Sequence, residues 1–113
     1  MSGEQTYDEF WLMYLRAHSR RKTRLIHYLG ISVIIVSIVW AIASEIWWIA
    51  LAGIATGYVT AWSAHYTVQH NVPVMFEGPK SALWSLISGL RMYVLGLSGQ
   101  LAPQLRRAGV GAE

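Results

Sequence analysis

LIHYLGISVIIVSIVWAIASEIWWIALAGIATGYVTAWSA, residues 25–64, is the stretch whose reading decides the fold. Glu45 is its one charged residue. Leu25 to Ser44 is a run of 20 residues without Asp, Glu, Lys or Arg, and Ile46 to Ala64 is a run of 19. A helix rises about 1.5 Å per residue, so each run reaches roughly 28–30 Å, the thickness of a bilayer's hydrocarbon core. The expected fold is an all-α membrane protein built on a transmembrane helical hairpin, residues 25–44 and 46–64, with flanking amphipathic or interfacial helices. Gly30, Ser32, Ser37 and Ala41 on one run, and Gly53, Thr56, Gly57 and Ala61 on the other, are small enough to let two helices approach closely.

A chain that reverses near Glu45–Ile46 places residues equidistant from the turn at equal depth. His27 lies 19 residues before Ile46 and His65 lies 19 after it. These two imidazoles are therefore expected to meet at one end of the hairpin.

Composition supports the membrane reading independently. Of the 113 residues, 54% are hydrophobic and 13% charged, about half the charged share of an ordinary soluble protein. The length suits a single domain over 1–113. Without cysteine, neither disulfides nor thiolate chemistry are available. The net charge of +3 is unevenly spread, because Arg16, Arg20, Arg21, Lys22 and Arg24 fall within nine positions. Such a cluster just before a span is expected to stay cytoplasmic, which puts both ends of the hairpin on that side and favours anionic headgroups over nucleic acid. Met1 to Asp8 is polar and acidic, and the first apolar run is too late and too long for a cleavable signal peptide.

Around the hairpin, residues 1–6 read as a loose tail. Residues 7–18 read as an amphipathic helix, with Phe10, Met13, Tyr14 and Ala17 at helical spacing and Thr6 with Glu9 as a capping box. The interface is its expected resting place, with packing under the hairpin as the alternative. Residues 19–24 read as a basic connector. His18 and His27, nine apart, fall on opposite faces of an unbroken helix, so a shared site requires a bend between them. Residues 65–79, with Asn71, Pro73, Gly78 and Pro79, read as an ordered turn. Residues 80–101 form a third apolar segment interrupted by Arg91. It is expected to be interfacial or re-entrant, because a charge at mid-membrane is costly, with a third span as the alternative. Pro103 and the Gly/Ala-rich end read as a frayed terminus.

The four histidines, His18, His27, His65 and His70, all fall on or near one end of the hairpin. Converging neutral imidazoles suit iron, zinc or copper. Interfacial histidines hydrogen-bonded to carbonyls and headgroups are the alternative reading of the same spacing.

Three ordered signatures carry a resemblance. RAHSRRKTRLIHYLG supplies His18, Arg24, His27, Tyr28 and Gly30; AHYTVQHNVPVMF supplies His65, Tyr66, Asn71, Pro73 and Phe76; SLISGLRM supplies Ser85, Leu86, Arg91 and Met92. Over roughly residues 7–101 the chain resembles the 2-hydroxy-fatty-acid dioxygenase-like (Mpo-like) family of small helical membrane proteins. The resemblance implies iron(II)-dependent oxygenation of a 2-hydroxy fatty acid, shortening it by one carbon, with a metal on His18, His27 and His65. His70 is a further candidate ligand. It also implies a membrane lipid or fatty-acid substrate whose carboxylate meets Arg20, Arg21 and Arg24, with Asn71 and Arg91 as further binding residues. Two positions depart from the family pattern: Gln69 and Gly89 stand where carboxylates are usual. The second reading follows from that loss, a catalytically degenerate accessory subunit of a larger membrane protein complex.

Overall fold

In the computed structural model, which describes residues 5–111, the capping box closes as the sequence suggests. Glu9 N–H donates to Thr6 Oγ1 at 3.1 Å and Thr6 N–H donates to Glu9 Oε1 at 2.9 Å, starting helix α1, Tyr7–Arg16. Residues 1–4 of the expected loose tail lie outside the described residues. The long helix α2, Arg21–Ser44, and the helix α3, Trp48–Ala64, form the hairpin. A π-helical turn, His65–Gln69, continues α3, and a 3-10 turn, Val74–Glu77, leads into α4, Pro79–Leu97. A short helix α5, Ala102–Arg107, follows.

The basic connector expected over 19–24 is largely helical. Arg and Lys favour helices and nothing there breaks one, so α2 starts at Arg21. The bend is confined to residues 17–20. Arg24 fastens it, donating from Nη1 to the carbonyls of His18 and Ser19, both at 2.8 Å.

The hairpin closes backbone to backbone. A Cβ on Gly30 would lie 2.6 Å from the Gly57 carbonyl oxygen, and one on Gly57 would lie 2.6 Å from that of Gly30. One turn further on, Gly53 packs against Ser37. The tight reversal uses Glu45 in the left-handed region, φ 59°, as the C-cap of α2.

Most of the buried core lies off the end of the hairpin. Phe10, Trp11, Tyr14 and Leu15 of α1 pack with Val74, Met92 of α4, and Leu101, Leu105 and Ala108 around α5. The amphipathic helix expected at an interface is thus a core helix, because α4 and α5 supply the apolar partners that its wide face requires. The terminus expected to fray is ordered for the same reason: Leu105 is buried, Trp11 Nε1–H donates to Gln104 Oε1 at 3.0 Å, and Arg107 pairs with Asp8 at 2.7 Å. Arg91 finds an aromatic partner rather than an acidic one, its guanidinium carbon 4.2 Å over the Trp11 ring.

The hairpin itself stays largely uncovered. α2 is long and apolar enough to cross a membrane, and only 17% of its most apolar stretch is buried. α3 has 17 residues, about 25 Å of helix. Trp40, Trp47 and Trp48, all more than half exposed, crowd the closed end.

Candidate functional site

Three separate elements deliver imidazoles to the open end of the hairpin. The bend after α1 carries His18, the first turns of α2 carry His27, and the π-turn after α3 carries His65. Their ring centroids lie 5.1 Å (His18–His27), 4.5 Å (His18–His65) and 6.5 Å (His27–His65) apart, each pair edge to face. The depth-matching of His27 and His65 follows from the turn at Glu45. The bend at residues 17–20 removes the opposition between His18 and His27.

Each ring is held from behind through one nitrogen. His18 Nδ1–H donates to the Tyr14 carbonyl at 2.8 Å, and the Tyr14 ring stacks on it at 4.2 Å. His65 Nδ1–H donates to Asn71 Oδ1 at 2.8 Å, while Asn71 Nδ2 donates to the Ala17 carbonyl at 3.1 Å, which fixes the amide's orientation. His27 Nε2 lies 3.3 Å from Tyr14 Oη. On the other side, His18 Nε2 and His27 Nδ1 are buried without a hydrogen-bond partner. Buried polar atoms are rarely left so, and rings fixed through one nitrogen with the other unused are what metal-binding histidines look like. As they stand, no three His, Asp, Glu or Cys side chains among the described residues are arranged to hold a metal ion. The donor chemistry fits one nonetheless: three imidazoles, two with orphaned buried nitrogens.

Burial keeps His18 and His65 neutral. Burial, then the neighbouring His27 and His65, hold His18 well below its usual pKa, and burial lowers His65 as well. Burial pushes the Tyr14 phenol up, so it stays protonated. Neutral rings retain the lone pairs that a ligand needs.

The rings open onto a cavity of about 370 Å³ between α2, α3 and α4. Tyr14, His18, His27 and His65 line one end, and isoleucines as deep as Ile38 and Ile54 line the rest. Eleven residues of helix separate His27 from Ile38, roughly 16 Å. Pro73, Val74 and Met75 add a wall from the loop after α3, tied down by Trp62 Nε1–H on Met75 Sδ at 3.3 Å.

The other residues singled out from sequence stand elsewhere. His70 is exposed, in the left-handed region at φ 60°, and closes the π-turn outside the ring cluster. Arg20 and Arg21 are exposed, and Arg24 holds the bend. Asn71 orients His65, and Arg91 lies on Trp11. Gln69 accepts from Arg20 N–H at 3.1 Å and Thr23 Oγ1 at 2.8 Å and donates to Ser19 Oγ at 2.7 Å, so its amide is committed to the bend. No carboxylate lines the cavity among the described residues. Tyr14 was not singled out as a site residue from sequence. Its place on the apolar face of α1 marks it as core, and nothing in the pattern separates it from Phe10.

A family model described as 2-hydroxy-palmitic acid dioxygenase Mpo1-like matches residues 4–101, and the chain belongs to that family. No curated protein and no solved structure matches the chain.

Proposed function

We propose that this member of the Mpo1-like family is a membrane-embedded, iron(II)-dependent oxygenase of 2-hydroxy fatty acids, its metal held by His18, His27 and His65. The observation that carries the reading is the pair of unpartnered, buried nitrogens, His18 Nε2 and His27 Nδ1, on residues that line an apolar cavity. When bound, iron(II) on such a site supplies the oxygen chemistry that side chains lack. The chain's own residues do the rest. The Tyr14 carbonyl and Asn71 Oδ1 each take a proton-bearing Nδ1, leaving Nε2 of His18 and His65 as the lone-pair nitrogens. Tyr14 Oη engages His27 Nε2, so Nδ1 is the ring nitrogen left to a metal when Nε2 carries the proton. The isoleucine walls exclude water and accept a hydrocarbon tail.

The membrane supplies the cover that the hairpin lacks. A core helix of a soluble protein is mostly buried, whereas α2 is not, and its exposed Leu29, Ile35, Val36 and Val39 are matched by Leu51 and Val59 of α3. Tryptophans at the closed end and exposed Arg20, Arg21 and Lys22 at the other suit the two surfaces of a bilayer with the basic end cytoplasmic. A fatty acid then reaches the cavity from the lipid phase.

Elemental analysis of detergent-purified protein tests the reading, alongside oxygen uptake with 2-hydroxyhexadecanoic acid. The expected result is close to one iron per chain, lost in His18→Ala and in His65→Ala together with the oxygen uptake. Less than about a tenth of an equivalent of any transition metal after loading, with both variants behaving as wild type, overturns it, since such chemistry needs a filled site. That outcome favours the accessory-subunit reading.

A further inference from the structure

We propose that the Ser85 hydroxyl is the hydrogen bond that anchors the oxygenated head of the cavity's ligand, an inference that rests on the lipid-oxygenase reading above. Ser85 is 8% exposed, it lines the cavity, and its Oγ is buried without a hydrogen-bond partner. A helical serine ordinarily turns its hydroxyl onto a carbonyl one turn back. Thr56, Thr60, Ser63 and Thr67 all do so here, at 2.6–2.8 Å. The buried serines behave differently. Ser88, the other buried serine of α4, is paired with Tyr7 Oη at 2.9 Å. Ser85 alone of these hydroxyls keeps both its proton and its lone pairs uncommitted inside an apolar wall.

Its position gives the unused hydroxyl a direction. Ser85 stands one helical turn before Gly89 on the same face of α4. A Cβ on Gly89 would lie 3.1 Å from Tyr14 Oη and 3.4 Å from His27 Cε1, so this face is the one turned toward the ring cluster. No lysine or arginine lines the cavity among the described residues. The polar end of a ligand therefore meets Ser85 and the imidazoles, not a guanidinium, and the hydrocarbon remainder runs toward Ile38 and Ile54. Head-group anchoring passes from the arginines of the bend to a hydroxyl on the opposite wall.

The test is binding of 2-hydroxyhexadecanoic acid to the full chain in detergent, followed by displacement of a fluorescent fatty acid at matched metal content. Ser85→Ala is expected to weaken binding about tenfold, the scale of one hydrogen bond to a charged group. Its thermal midpoint should stay level or rise, because no existing protein hydrogen bond is lost. Thr56→Val, which removes an outward hydroxyl, is expected to bind as wild type. Should Ser85→Ala fail to fold, Ser85→Cys keeps the volume with a weaker donor and must also bind less tightly. Either folded Ser85 variant binding within twofold of wild type overturns the anchor while leaving the lipid-oxygenase reading intact. Wild-type protein that binds no 2-hydroxyhexadecanoic acid overturns both.

Discussion

Asn71 grips His65 across the π-turn: its Oδ1 accepts from His65 Nδ1 at 2.8 Å while its amide nitrogen is spent on the Ala17 carbonyl. One side chain thus ties the ring delivered by α3 to the bend that carries His18. Partners of this kind fix ring orientation and tautomer. Asn71→Ala is expected to leave the helical content intact and to weaken metal binding about 10- to 100-fold. Titration of the metal-free protein with iron(II) or zinc, read by thermal midpoint, checks it. Unchanged affinity would remove Asn71 from the site.

The buried imidazoles make stability depend on pH. In the unfolded chain His18 and His65 titrate near their ordinary value of 6.5, whereas burial lowers both in the folded protein. Below 6.5 the unfolded state binds more protons, so stability falls as pH drops and is level above. Thermal midpoints of metal-free protein from pH 8 to pH 5 should show this decline, and His18→Gln should flatten it. A midpoint that rises on acidification would contradict the burial of neutral rings.

Gly30 and Gly57 leave no room between α2 and α3. Gly30→Val is expected to cost about 1–3 kcal/mol through overpacking. Ala52→Val, on an exposed position of α3, is expected to stay within about 0.5 kcal/mol of wild type. Denaturant unfolding followed by tryptophan fluorescence compares the two, and equal effects would place the helix contact elsewhere.

Glu45 occupies a backbone conformation that glycine adopts freely. Glu45→Gly should stabilise the hairpin by about 1 kcal/mol, the scale of the left-handed penalty. The same unfolding measurement reads it, and destabilisation would mean that the glutamate side chain contributes more than its backbone costs.

Arg91 is held by the Trp11 ring, so Arg91→Met should cost about 0.5–2 kcal/mol, with the loss concentrated in Arg91 rather than shared with the exposed Arg20. Comparison of Arg91→Met and Arg20→Met by thermal unfolding separates them.

The hairpin and the meeting of His27 with His65 were legible because both depend on counting along the chain: apolar run length sets the helices and the turn sets the depth. The burial of α1 was not legible, because Phe10, Trp11, Tyr14 and Leu15 present the same stripe to a bilayer surface as to α4 and α5. Helix α5 was hidden by Pro103, which breaks a helix in its interior but suits the first turn where it stands. The partners of Gln69 and Arg91 were not legible either, because an amide at the bend and an indole under a guanidinium are brought together only by the fold. Tyr14 and Ser85 escaped notice as site residues because only packing shows which hydroxyls have nowhere else to bond.

Asp8 and Trp11 near the start of the chain are fastened to Arg107 and Gln104 near its end. Helix α1, which brings Tyr14 and precedes His18, therefore takes part of its seat from residues more than ninety positions further along the chain. Gathering of the three rings thus depends on contacts of long sequence separation, and a variant shortened before Gln104 would carry every histidine while α1 lost its contacts to Gln104, Leu105 and Arg107.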